Sequence, residues 1–300
     1  NNFKKIVIIH LFGSTTPSGK AFKKLLIVNG HKEIIEYTRK NLGKPYKYCD
    51  LNRPDKFNLI NDNKNSTIVS FAPIWVISRF LNEIAIIKPQ FFKFVQKILI
   101  CSSSSVVTKR YSFNSFDQSL SKNLEESENA LIKLCESFNL DLKIVRPTLI
   151  YGSYGGFKDK NFSKIIEFMR ISPLLLLPQN SGYRQPISCY ELANVFFNLF
   201  LKSNPKYKMR SKILIGGDTI LTFNEMLIAL KNSTNKGDRA RKCFIIFVPD
   251  KIFIFLISPI FIFSRKKYEA LLRVFANLSD FTHQHQLTNK KSKFFPNKGF

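Results

Sequence analysis

The sequence predicts an α/β chain built on a doubly wound parallel sheet with a smaller C-terminal lobe. Three observations carry that prediction. The segment from Lys5 to Phe12 is apolar apart from Lys5 and His10 and ends at Gly13. A strand covered on both faces gives such a run, because every side chain then meets a packed layer. From there to about Pro147, strand-like and helix-like stretches alternate, which is the pattern of a parallel sheet with crossover helices. Finally, 44% of the 300 residues are apolar, enough for a substantial core and too many for a disordered chain.

The elements follow in order. After the first strand, Gly13 lets the chain turn and lets a ligand approach the backbone. A helix is expected from about Lys20 to Val28, beginning at Gly19 and aiming its N-terminal dipole at a phosphate or pyrophosphate. Glu33–Tyr37 is the second expected strand, with the basic Thr38-Arg39-Lys40 at its end, and Tyr46–Cys49 is a short third. Ser66–Phe71 is the fourth strand, broken by Ala72-Pro73, and the sequence pattern gives a helix over Pro89–Val95. Lys97–Cys101 is a fifth strand that ends in a serine run. A long helix covers about Gln118–Asn139, and Leu142–Val145 is the sixth strand. After Gly152 the prolines and glycines thicken, with short helices at Phe162–Arg170, Tyr190–Leu201 and Phe223–Lys231 and a strand at Lys212–Ile215. The expected division is a core at 1–152 and a lobe at 153–300, with some core elements interleaved in the second part.

The net charge of +26 admits a nucleic acid, an anionic membrane or an anionic small molecule as partner. The lysines are scattered and form no basic arm, so a specific nucleic-acid partner is not expected. Five widely spaced cysteines with no CxxC pair fit free thiols in a reducing, cytoplasmic setting and neither a disulfide framework nor a metal site. The short N-terminal apolar run reads as a strand, since it lacks a small-residue cleavage pattern. Cys243–Ser264 is very apolar but is interrupted by Asp250, Lys251 and Pro259. It has three readings: a buried helix or wall of the lobe, a helix lying on a membrane, and a true span.

The segments Gly13-Ser14-Thr15-Thr16-Pro17-Ser18-Gly19, Asp50-Leu51, Ser66 to Pro73, Cys101 to Val106, Arg146-Pro147-Thr148-Leu149-Ile150-Tyr151-Gly152, and Arg184-Gln185-Pro186-Ile187-Ser188 with Glu191-Leu192-Ala193 recur in a telling order. Their order and spacing resemble the extended short-chain dehydrogenase/reductase family, in its nucleoside-diphosphate-sugar epimerase/dehydratase branch. The resemblance runs over nearly the whole chain. It implies a Rossmann-type fold, a bound NAD or NADP, a nucleotide-sugar substrate and often a homodimer. Its glycine turn would hold the cofactor through Gly13, Thr15, Thr16, Ser18 and Gly19, with Thr16 where the middle glycine belongs. Asp50 would hold the adenine, or simply close a turn after a strand. Ala72, Pro73 and Pro147 would face the nicotinamide half. Arg39 stands where NAD-selective sites carry an acid for the ribose hydroxyl, which tilts the cofactor towards NADP, unless Arg39 is only part of a solvated turn. Arg184 would clamp a substrate diphosphate and Asn161 would touch a substrate phosphate; a surface arginine and a loop asparagine are the plain alternatives.

The family's chemistry needs a tyrosine that exchanges a proton and a lysine one helical turn later that lowers its pKa, in the spacing YxxxKxxxE. Anchored on Glu128, that frame places Leu120 at the tyrosine and Leu124 at the lysine. Neither moves a proton. Ser103 matches the hydroxyl that orients substrate, and Tyr111 is the nearest phenol, with Lys109 and Lys122 also outside the frame. Two functions remain open. One is an NAD(P)-dependent enzyme on a nucleotide-activated sugar in polysaccharide or envelope glycan synthesis. The other is a catalytically silent dinucleotide-binding sensor or scaffold. A peripheral membrane contact through 243–264 stands beside both.

Overall fold

The computed structural model describes residues 7–40, 42–57, 64–112, 114–201, 210–294 and 296. Lys5 and Ile6, placed in the first strand by their pattern, lie outside the described residues. The centre is one eight-stranded sheet: β1 Ile8–Phe12, β2 Ile34–Thr38, β3 Tyr46–Tyr48, β4 Ser66–Ser70, β5 Val95–Cys101, β6 Asp141–Pro147, β7 Arg210–Gly216 and β8 Thr282–His283. Its order is β8-β7-β6-β5-β4-β1-β2-β3, and every pairing in it is parallel. This is a Rossmann-type α/β fold. The chain winds outward from β1 in one direction, then returns to β4 and winds the other way. The strand order therefore reverses between β1 and β4, the place where open α/β sheets bind ligands at the carboxyl ends of their strands.

The helices around the sheet are α1 Pro17–Val28, α2 Ile74–Ile87, α3 Ser115–Ser137, α4 Lys160–Ile171, α5 Cys189–Leu201 and α6 Phe223–Ser233. Alternation along β1 feeds two cores. Ile9 and Leu11 join Phe22 and Leu26 of α1 and Phe196 of α5 on one face. Phe12 joins Ile77 and Phe80 of α2 and Leu131 of α3 on the other. A third cluster, with Tyr151, Phe162, Met169, Met226 and Leu230, holds α4 and α6 together away from the sheet. Residues after 152 build most of this cluster, together with Leu149 and Tyr151, and also return to the sheet through α5, β7 and β8.

Four elements differ from the sequence expectation. α1 starts at Pro17, earlier than Lys20, because Thr16 caps it and Pro17 occupies the first turn, where a missing N–H costs nothing. The pattern offers no element between Pro73 and Pro89, yet α2 fills that stretch. The helix buries Ile74, Ile77, Leu81 and Ile84 on one face and carries Arg79, Asn82 and Glu83 at helical spacing on the other. Pro89–Phe94 is a 3-10 helix and not an α-helix. The apolar segment after Cys243 does not form one buried helix. It makes a strand, Phe244–Val248, paired in parallel with Leu174–Pro178, and then three short helices, α7 Asp250–Ile257, α8 Pro259–Phe263 and α9 Arg265–Leu272. Among the described residues no helix is long and apolar enough to cross a membrane. All five cysteines are free.

Candidate functional site

The carboxyl ends of β1 to β6 gather most of the residues singled out from the sequence. At the end of β1, Gly13 has φ +74° and sits so close to the next strand that a Cβ there would lie 2.6 Å from the backbone nitrogen of Ala72. At Gly19 an added Cβ would lie 2.3 Å from the Gly13 carbonyl oxygen. Both glycines are thus required by close backbone packing, one between β1 and β4 and one between helix and turn. Thr16 donates its hydroxyl to the Gly13 carbonyl at 2.8 Å and accepts from the Gly19 amide at 3.1 Å. That hydroxyl is occupied as a helix cap and does not offer itself to a pyrophosphate. Ser14, fully buried in the same turn, has a hydroxyl oxygen with no hydrogen-bond partner. Ser18 is buried and Thr15 half-buried. The glycines serve packing within the protein; the orphaned buried hydroxyl of Ser14 beside the N-terminus of α1 is the feature of this turn that would suit a dinucleotide pyrophosphate.

Arg39 is exposed at the end of β2, and the Thr38 hydroxyl before it accepts from the Lys40 amide at 3.1 Å. Asp50, after β3, spends one carboxylate oxygen on the Asn52 amide at 3.0 Å and so closes a turn. Ala72 is buried and Pro73 exposed immediately before α2. The Pro147 carbonyl accepts from the Ser104 amide at 2.9 Å, tying the ends of β5 and β6 together.

Behind these ends lies a buried charge cluster. Glu128 is 0% exposed; it accepts from Ser102 Oγ at 2.6 Å and from Arg146 Nε at 2.9 Å, pairs again with Arg146 through its second oxygen, and has Lys212 at 3.5 Å. Arg146 thus fixes the face of α3 on which the frame is anchored. One and two turns earlier on α3, Leu124 is buried and Leu120 half-buried, both in the apolar cluster that includes Val106 and Ile74.

A cleft of about 420 Å³ opens over the ends of β5 and β6. Ser103, Tyr111 and Asn161 all line it, so three site residues chosen from the sequence meet here; Lys109, Thr148 and Arg273 join them. Ser103 Oγ accepts from the Ser105 amide at 3.1 Å, Tyr111 is highly exposed, and Asn161 stands exposed in the first turn of α4. Lys109 Nζ lies 3.0 Å from a carboxylate oxygen of Asp117, which is buried in the first turn of α3. The other Asp117 oxygen is paired with Arg273. Burial, then the neighbouring Arg273 and Lys266 charges, pull the Lys109 amine down to about 8 from 10.5. Asp117 and Arg273 carry no signal in the sequence: they are far apart along the chain, and Arg273 follows a helix that has no motif around it.

Arg184 is not in this cleft. It is buried, donates to the carbonyls of Tyr183, Ala276 and Arg273, and has its guanidinium carbon 5.0 Å from the centre of the Phe223 ring. Its donors hold the 273–276 segment to the lobe. Arg184→Met is therefore expected to destabilise the protein by roughly 1–3 kcal/mol, by leaving buried carbonyls unsatisfied. Denaturant unfolding measures this; unchanged stability with a raised KM would instead mark a substrate clamp.

No family model matches the chain, and no curated protein matches it. Solved structures do. A UDP-glucose 4-epimerase from Thermotoga maritima, solved with UDP-glucose, aligns with a TM-score of 0.64 at 13% identity over 98% of this chain and 96% of that one. A UDP-glucuronic acid 4-epimerase from Bacillus cereus, in complex with UDP-glucuronic acid and NAD, aligns at 0.58 and 14% identity over 81% of this chain and 86% of that one. An L-threonine dehydrogenase from Phytophthora infestans aligns at 0.66 and 12% identity over 97% of this chain and 95% of that one. Likeness at these identities establishes the fold, and the threonine dehydrogenase shows that the fold is not confined to sugar chemistry.

Proposed function

We propose that the protein binds a nicotinamide dinucleotide, NADP in preference to NAD, and uses it on a nucleotide-activated sugar, in a step towards a polysaccharide or envelope glycan. The observation that carries this reading is the cleft over the carboxyl ends of β5 and β6, lined by Ser103, Lys109, Tyr111, Asn161 and Arg273. A bound nicotinamide dinucleotide would supply hydride transfer there. The glycine turn would hold its pyrophosphate, and the exposed Arg39 would favour a 2′-phosphate over a bare ribose. Arg273 and Asn161 line the cleft and would face an anionic substrate there, while Arg184 is committed to carbonyls outside it. The strong positive charge of the chain draws both anions inward.

Proton exchange falls to Lys109. Its pKa, pulled down to about 8, lies nearer to neutral pH than an ordinary lysine's, which is where a general acid or base works best. Ser103 and Tyr111 offer hydroxyls on the same wall. Lys109→Arg keeps a cation beside Asp117 but does not titrate, so it is expected to abolish turnover by at least about a hundredfold while leaving the fold intact. The kcat/KM profile of the wild type should carry a limb near pH 8 that the variant lacks. Stability follows a separate rule. Because the folded-state amine titrates below its unfolded value, its charged form is penalised below about pH 8, and that penalty fades as pH rises towards 10.5.

The test of function is incubation with nicotinamide dinucleotide and a panel of UDP-, GDP- and dTDP-sugars, read by reduced-nicotinamide absorbance for net oxidation or reduction and by chromatography of the sugar nucleotide for redox-neutral epimerisation or dehydration. Turnover with one class supports the enzyme reading. Leu120 and Leu124, packed in the core where a catalytic pair would stand, favour the second reading of a silent sensor or scaffold. Cofactor binding without turnover over the whole panel would select that reading.

A further inference from the structure

Between Arg241 and Lys267 the chain carries six cations, Arg241, Lys242, Lys251, Arg265, Lys266 and Lys267, and one acid, Asp250. The stretch between the flanking cations is almost wholly apolar and has no packed layer over its outer side. On α7, Phe253 and Ile257 turn inward against Val274, while Ile252, Ile254, Phe255 and Leu256 turn out. α8 has no buried residue. Phe255 is 76% exposed, Ile262 81% and Phe263 87%. Phe244, Ile246 and Phe247 on the adjoining strand are exposed as well. Helices that are apolar all round are normally buried in protein or lipid, and large contiguous apolar surfaces mark interaction sites.

We propose that this face docks on an anionic bilayer surface and lies in its headgroup region. The reading is independent of the proposed activity. Length excludes crossing: the eight residues of α7 span about 12 Å at helical rise, against a hydrocarbon core of about 30 Å. Charge selects the occupant. Apolar side chains flanked at both ends by Lys and Arg match an interfacial segment on anionic lipid. A second copy placed face to face would bring those cations against each other in a chain of net charge +26. Asp250, whose carboxylate accepts from Asn180 at both oxygens, is a single negative charge against six positive ones. The face is also joined to the cleft: Val274 packs beneath α7, and the adjacent Arg273 pairs with Asp117 on the cleft wall.

The experiment is co-flotation of the full chain with phosphatidylglycerol vesicles and, separately, with phosphatidylcholine vesicles. The protein should float with phosphatidylglycerol and at least about tenfold less with phosphatidylcholine. The variant Phe255→Ser/Ile262→Ser/Phe263→Ser changes only highly exposed side chains, so its unfolding temperature should hold while flotation drops by at least about tenfold. Lys251→Glu/Lys267→Glu should erase the lipid preference without touching the apolar face. Equal flotation of the triple variant, or no flotation of the wild type, would overturn the proposal. So would a wild-type dimer that the triple variant dissolves, which would give the face to a second copy.

Discussion

Replacing Glu128 with alanine is expected to destabilise the protein by about 3–5 kcal/mol, the range for removing one partner from a buried ion cluster. The carboxylate is fully buried and holds Ser102, Arg146 and Lys212. Its loss leaves Arg146, itself largely buried, without its counter-charge. Three elements meet at that point: α3, the end of β5 and the end of β6. The damage should therefore extend to the serine run that lines the cleft. Glu128→Gln keeps the shape and one acceptor oxygen, so its loss should be smaller. Urea unfolding separates the two variants. If Glu128→Ala matched the wild type, the cluster would be ornamental and the anchoring of the α3 frame would fail with it.

Gly13→Ala is expected to be nearly as damaging, at about 2–5 kcal/mol. The left-handed conformation costs a Cβ-bearing residue about 1–2 kcal/mol, and overpacking adds about 1–3 kcal/mol. The overpacking is severe because the atoms in the way are the backbone of Phe71 and Ala72, which have no rotamer to change. The variant forces β1 and β4 apart at the point where the strand order reverses. Dinucleotide affinity should fall by at least about tenfold even at temperatures where the protein remains folded. Gly30→Ala is the control, since Gly30 also has positive φ but has open space around its Cβ position. It should cost only the conformational part and leave cofactor binding untouched.

Seven of the eight strands were legible from sequence, most of them as short apolar runs closed by a turn residue, a signal that needs no long-range information; β8, the pair Thr282–His283, has no such run and is defined only by its pairing with β7. α2 left a signal too, since Arg79, Asn82 and Glu83 stand at helical spacing opposite the buried Ile74, Ile77, Leu81 and Ile84, but the mostly apolar run overshadows it. The glycine turn could be located, but the use of the Thr16 hydroxyl could not. Whether a hydroxyl caps its own helix or faces a ligand depends on one rotation. Arg184 reads as a clamp through its motif in the resembling family; here it donates to the Tyr183 carbonyl beside it and to the Arg273 and Ala276 carbonyls of a segment far along the chain, which no motif announces. The same limit hid Arg273. Its meeting with Asp117 and Lys109 is made by the docking of the C-terminal segment, which leaves no trace in local sequence. The apolar stretch after Cys243 was visible as such, whereas its exposure is a property of what does not pack upon it.

The most direct measurement is a titration of the purified protein with NADPH and with NADH, followed by nicotinamide fluorescence and by thermal unfolding on the same samples. A site at the glycine turn should bind one dinucleotide per chain, raise the unfolding temperature on binding and favour NADPH. Arg39→Ala should narrow that preference, and Gly13→Ala should remove binding of both. No change in fluorescence or unfolding temperature with either dinucleotide would contradict the account.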